Sequence, residues 1–218
     1  MIILHHCPQS RSMRTLWLLH ELDIPFDVRI YPFDKTLRRP EFLELSPAGR
    51  VPALQIDGLQ MFETGAITQY LCEQYSPDVL GRTVGHGERA HWLIWVHFAE
   101  TISQHVAALT QQHIVLYDDA MRSPIVMRLE AARIGKCYDA LESHLKERSF
   151  LVGDAFTAAD VSVGQAVAMA KLFHTLDEYP CLAKWFARIS ARPAYQKSLP
   201  APGEELYSKP FYAAWPTE

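Results

Sequence analysis

The chain has few cysteines and none in a pair. Cys7, Cys72, Cys137 and Cys181 are scattered with no C-x-x-C spacing, which argues against a zinc ribbon and a disulfide scaffold and points to thiols in a reducing compartment. Long apolar runs are also missing. No stretch approaches the roughly 20 unbroken apolar residues that a membrane span requires, and the N-terminus lacks the basic start, apolar centre and small-residue cleavage site of a signal peptide. A soluble, cytoplasmic protein with no membrane partner is therefore expected. Basic excess is absent too: 21 Lys and Arg face 25 Asp and Glu, a net charge of −4. Nucleic acid is not an expected partner, and any anion must be bound locally. There is no internal repeat and no low-complexity tract.

What is present is the composition of a folded chain. At 218 residues, 49% hydrophobic and 11% aromatic, it can bury a substantial core, and its length suits two small domains. Ile2-Ile3-Leu4 reads as a buried strand. Ser10 to Leu22 places Met13, Leu16, Trp17, Leu19 and Leu22 at helical spacing, and Phe26 to Tyr31 reads as a second strand. Pro52 to Ile56 and Leu59 to Phe62 flank Asp57-Gly58, a tight-turn dipeptide. A helix follows with Ala66, Ile67, Tyr70 and Leu71 on one stripe. The order β-α-β then β-β-α implies a small mixed sheet, parallel in its first unit and antiparallel in its second.

Ser76-Pro77 and the glycines between Gly81 and Gly87 read as a linker, giving an α/β domain over 1–76, a linker over 77–87 and an all-α domain over 88–218. Helical stripes beyond the linker run through Trp92, Trp95, Val96 and Ala99; through Ile134, Tyr138, Leu141 and Leu145; and through Leu182, Trp185, Phe186 and Ile189. Phe156-Thr157-Ala158-Ala159-Asp160-Val161 has the pattern of a capping box with a hydrophobic staple, a structural role for Thr157 and Asp160 at the start of a buried helix. The last residues, Pro200 to Glu218, suggest an irregular tail packed by Phe211, Tyr212 and Trp215.

Three segments of the first half could carry chemistry. The first is the end of the first strand. The second is Arg50-Val51-Pro52, where Pro52 either opens an edge strand or sits in a cis bond that leaves the Val51 backbone free to pair with an extended peptide. The third is Glu63-Thr64 at a helix start, where backbone N–H groups and the Thr64 hydroxyl could hold a carboxylate and Glu63 an ammonium. An ordinary helix cap explains the same pair.

Five pieces in order resemble the glutathione transferase superfamily, and bacterial, theta-like members most of all. They are Cys7-Pro8-Gln9-Ser10-Arg11-Ser12-Met13-Arg14, Ser46 to Leu54, Phe62 to Ile67, Phe156 to Val161, and Ala191-Arg192-Pro193-Ala194-Tyr195. The resemblance covers nearly the whole chain. It implies a thioredoxin-like N-terminal domain joined to a helical one, a cis Pro52, a homodimer, and glutathione as the thiol co-substrate for attack on an electrophilic small molecule. Glutathione would place its γ-glutamyl end on Thr64 and Glu63, its cysteinyl amide on Val51 and its glycyl carboxylate on Arg50, with Lys35 behind. Ser10 corresponds to the serine that stabilises the thiolate in theta-like members. C-P-x-S also resembles monothiol glutaredoxins and the cysteine-using branch of the superfamily, in which Cys7 would form a mixed disulfide. Counting back from the first helix favours Ser10. A glutathione-dependent disulfide reductase or peroxidase, or a non-catalytic binding protein of the same fold, are the alternatives. The tyrosine of other branches is replaced by His5 and His6, which point to opposite faces of a strand. No histidine spacing suggests a metal, and none is expected.

Overall fold

The computed structural model describes residues 1–212. The first half runs β1 (Ile2–His6), α1 (Ser12–Leu22), β2 (Asp27–Ile30), a 3₁₀ turn at Lys35–Arg38, the short α2 (Pro40–Leu43), β3 (Ala53–Ile56), β4 (Leu59–Phe62) and α3 (Thr64–Tyr75). The sheet order is β2-β1-β3-β4, with β1 parallel to β2 and antiparallel to β3, and β4 antiparallel to β3. This is the mixed sheet that the sequence predicts. Central β1 is buried along its whole length, whereas edge strand β2 is exposed throughout.

The first strand runs two residues further than the sequence reading, to His6, and the second is one residue shorter at each end; two other boundaries differ for a plain physical reason. Helix α1 starts at Ser12 rather than Ser10, because the Ser10 hydroxyl donates to Cys7 O at 2.7 Å and accepts Ser12 N–H at 3.2 Å. A serine that bonds its own backbone competes with the helix ladder. Strand β3 begins at Ala53 because Pro52 has no N–H to give a ladder.

Beyond β4 no strand occurs among the described residues. The second half comprises α4 (Arg89–Thr110), a π-helical turn at Gln111–Val115, a 3₁₀ turn at Asp119–Met121, α5 (Pro124–Leu145), α6 (Ala158–Ala170), α7 (Pro180–Ser190) and α8 (Pro193–Lys197). None of the described helices is long and apolar enough to cross a membrane. Helix α6 is buried along almost its whole length, as its all-round apolar sequence requires. It meets α1 closely: a Cβ on Gly164 would fall 3.0 Å from the Trp17 ring and 2.6 Å from Ile189, so only glycine permits this approach. Trp17 is fully buried and stands edge-on to Tyr195, 4.8 Å between ring centres. One apolar core thus runs from the sheet through α1 into the helices.

The capping box forms as predicted. Asp160 also does more than close its own helix. Its Oδ2 accepts Thr157 N–H at 2.9 Å, and its Oδ1 accepts Leu151 N–H at 3.0 Å and Trp185 Nε1–H at 2.9 Å. Burial pushes its carboxyl up to about 6 against the pull of these donors. In the tail, Tyr207 is buried, Phe211 packs on Phe173 and His113, and exposed Tyr212 donates to Lys171 O at 3.2 Å. Trp215, the third aromatic expected to pack there, lies outside the described residues.

Candidate active site

Strand register brings the three candidate segments to one end of the sheet. His5 of β1 stands opposite Ala53 of β3, and Ala53 stands opposite Phe62 of β4. The chain leaving β1, the chain entering β3 and the chain leaving β4 are therefore neighbours. The loop after β2 joins them, since Tyr31 N–H bonds His6 O at 2.8 Å. At this edge lie Cys7 to Ser10, then Val51 and Pro52 across a cis bond, then Glu63 and Thr64. Thr64 is the first residue of α3 and is buried, and its carbonyl accepts the Thr68 hydroxyl at 2.9 Å. Glu63 is exposed with φ of 74°, a left-handed conformation that is unfavourable outside glycine and typical of functional positions. Lys35 and Arg50 are exposed, on the loops after β2 and before β3.

Ser10 is half-buried in the turn ahead of α1. Its oxygen lies 2.7 Å from Ser12 Oγ, and Ser12 Oγ lies 2.8 Å from His6 Nδ1 and accepts Cys7 N–H at 3.0 Å. Cys7 is buried, and desolvation with the nearby Asp34 charge raises its thiol to about 11. A thiol held protonated is a poor nucleophile. The two histidines of β1 take separate partners as alternation requires: His5 contacts Tyr31 Oη at 2.9 Å and Gln55 Oε1 at 3.1 Å. Among the described residues no cluster of three His, Cys, Asp or Glu side chains is placed to hold a metal.

Sequence reading misses the network behind this turn. Arg14, fully buried, pairs with Glu100 of α4 and donates to Ser103 Oγ at 3.2 Å and Gln165 Oε1 at 3.4 Å. Arg11 reaches the other Glu100 oxygen at 3.0 Å, and Gln165 Nε2 donates to Ser10 O at 3.3 Å. Burial works to raise the Glu100 carboxyl, but Arg14 and Arg11 more than offset this and hold it below the usual range. The available signal was Arg14 itself, a charge inside the apolar stripe of α1, which needs a partner from elsewhere in the fold. Trp92, on the aromatic stripe of α4, belongs to the core, fully buried with its Nε1–H donating to Leu80 O at 2.9 Å.

Burial also sets a pH dependence. Desolvation holds the His6 ring at about 4, below its ordinary 6.5. Between those values the unfolded chain takes a proton that the native state refuses. Stability from this group is complete above pH 6.5 and falls as pH drops through 6.5 toward 4, by about 3 kcal/mol in all. Denaturant titrations across this range should show His6→Asn losing that part of the acid slope; an unchanged slope would contradict a neutral, buried His6.

Residues 4–79 match the family model for the glutathione S-transferase N-terminal domain, and residues 126–188 match the model for its C-terminal domain. A glutathione S-transferase from the plant Hyoscyamus muticus is 31% identical over 204 residues, spanning 86% of this chain and 92% of the relative. In structure the chain resembles glutathione transferase Ure2p8 of the fungus Phanerochaete chrysosporium, solved with oxidized glutathione, at a TM-score of 0.81 and 23% identity over 90% of this chain and 92% of that one. Ure2p5 of the same fungus, cocrystallized with 1-(S-glutathionyl)-2,4-dinitrobenzene, has a TM-score of 0.78 at 22% identity, with 90% and 92% covered. At these identities the two structures speak for the fold alone.

Proposed function

Because this chain belongs to the glutathione S-transferase family, we propose that it is a glutathione transferase that joins the glutathione thiolate to an electrophilic small molecule. One observation carries the reading. A half-buried hydroxyl, Ser10, stands ahead of the N-terminus of α1 at the sheet end where Val51, Glu63 and Thr64 also meet. A free thiol near pKa 8.5 is mostly protonated at neutral pH, so a hydrogen-bond donor and the positive end of a helix are what favour its thiolate. In this reading the Thr64 hydroxyl and the first N–H groups of α3 take the γ-glutamyl carboxylate, and Glu63 takes the ammonium. The Val51 backbone pairs with the cysteinyl amide, and Arg50 and Lys35 face the glycyl carboxylate. The closer affinity with bacterial, theta-like members rests on Ser10, the relatives described above being plant and fungal.

The disulfide-exchange alternative has less support, since its nucleophile would be the buried, protonated Cys7. Assaying a halodinitrobenzene, an alkyl hydroperoxide and a mixed disulfide in parallel separates the readings. Conjugation of the aryl halide is expected. Mixed-disulfide turnover alone, lost in Cys7→Ser, would replace this reading with the cysteine one; calorimetric glutathione binding with no turnover would point to a binding protein.

A homodimer belongs to the same proposal. Edge strand β4 leaves Leu59 and Phe62 exposed, a surface that a soluble protein usually covers or blunts. Sedimentation at micromolar concentration should show twice the 24.9 kDa chain mass. A lone monomer peak would exclude it.

A further inference from the structure

At the end of β1 the three shortest hydroxyl contacts take their protons in one arrangement, which leaves the longer, 3.2 Å approach of Ser12 Oγ to Cys7 O without one. Ser10 Oγ makes two contacts of 2.7 Å, to Cys7 O and to Ser12 Oγ, and Ser12 Oγ makes one of 2.8 Å to His6 Nδ1. A carbonyl only accepts, so the single Ser10 proton goes to Cys7 O. The Ser10–Ser12 contact must then carry the Ser12 proton, and the Ser12–His6 contact must carry a proton from the ring. Every lone pair is used in this arrangement: Ser12 Oγ accepts Cys7 N–H and His6 Nδ1–H, and Ser10 Oγ accepts Ser12 N–H and Ser12 O–H. With Nδ1 bare, Ser12 would donate to the ring and Ser10 to Ser12, leaving no donor for Cys7 O or for a ligand.

We propose that His6 and Ser12 are positioning residues for the Ser10 donor: Nδ1–H of His6 saturates Ser12, Ser12 donates to Ser10, and the Ser10 proton is kept off the contact between the two hydroxyls. It rests on Cys7 O and turns to the glutathione sulfur when that thiol ionises, the thiol proton leaving to solvent. No proton moves along the chain; each hydrogen bond polarises the next. The inference rests on the reading that Ser10 serves the glutathione thiolate. Burial supports a fixed geometry, with Ser12 wholly enclosed and His6 4% exposed.

The test titrates glutathione bound to the full-length protein by its thiolate absorbance, alongside kcat and KM. Ser12→Ala removes the polarising donor, and His6→Leu frees a lone pair on Ser12 that competes for the Ser10 proton. Each should leave about two- to fivefold less thiolate at neutral pH, lowering kcat with little change in KM for glutathione. His6→Asn, whose amide N–H falls near the ring Nδ1–H, should restore the titration. In the wild-type protein ¹⁵N spectra should show His6 protonated at Nδ1 and bare at Nε2, a readout independent of whether any variant folds. If Ser10→Ala shifts the titration while Ser12→Ala and His6→Leu do not, the positioning role is wrong and Ser10 stands. If Ser10→Ala shifts nothing, both fall. A His6→Asn variant as impaired as His6→Leu, or the Nε2–H tautomer, also overturns the proposal.

Discussion

Replacing Asp160 with alanine should lower the unfolding free energy by about 3–5 kcal/mol, among the larger effects of a single substitution. Four buried donors lose their acceptor at once: Thr157 N–H and O–H, Leu151 N–H and Trp185 Nε1–H. Each unsatisfied donor costs about 1–3 kcal/mol, with partial relaxation recovering some of the sum. An ordinary capping change costs only about 1 kcal/mol. The excess arises because this carboxylate ties the start of α6 to the segment after α5 and to the side chain of α7. Asp160→Asn keeps Oδ1 for Leu151 and Trp185 but turns an amide toward Thr157 N–H, so its loss should be intermediate. Thermal melts of the three proteins decide the matter: at roughly 2–4 °C per kcal/mol for a chain of this size, the alanine variant should melt about 10 °C lower. A drop of only 2–3 °C would mean that the carboxylate acts as a plain cap.

Ser10→Ala should slow conjugation about 10- to 100-fold, corresponding to about 1.5–3 kcal/mol for a hydrogen bond to a charged acceptor. The bound thiol should titrate at higher pH, because the lost bond favoured only the ionised form. Glutathione affinity should change less, since the groups proposed to hold its backbone remain. Cys7→Ser should be nearly silent in the same assay, its thiol being buried and raised by desolvation. A pH series of rates on both variants separates the mechanisms. A fully active Ser10→Ala would end the serine reading, and an inactive Cys7→Ser would move the chemistry to the thiol.

Local features of this chain could be read from its sequence, and contacts across the fold could not. The strand of Leu59 to Phe62 has the observed ends because Asp57-Gly58 and the Glu63-Thr64 helix start both act over a few residues. The Thr157–Asp160 box was legible for the same reason. Trp185 on Asp160, by contrast, joins residues 25 apart in sequence, and Arg14 on Gln165 residues 151 apart. No local rule links such positions. Ser10 was read as a helical residue because its apolar neighbours have helical spacing, which says nothing about a hydroxyl that bonds Cys7 O instead. The candidate site was legible as three short segments; that they share one edge follows from strand register, and the hydroxyl chain from His6 to Ser10 depends on how the turn after β1 folds back on the strand.

The approach of α1 to α6 has a consequence for recombination. Gly164 admits Trp17, Gln165 holds the carbonyl of Ser10, and Glu100 meets Arg14, so the turn bearing Ser10 is shaped by residues encoded more than 80 positions downstream. The two halves are consequently not interchangeable cassettes. A chimera that grafts a foreign helical half onto this sheet inherits a buried guanidinium without its carboxylate and a tryptophan without its slot, unless a glycine, a glutamine and a glutamate arrive at the equivalent places. Donor halves carrying those three residues are the ones with which this N-terminal half can exchange partners and keep the turn bearing Ser10 in shape.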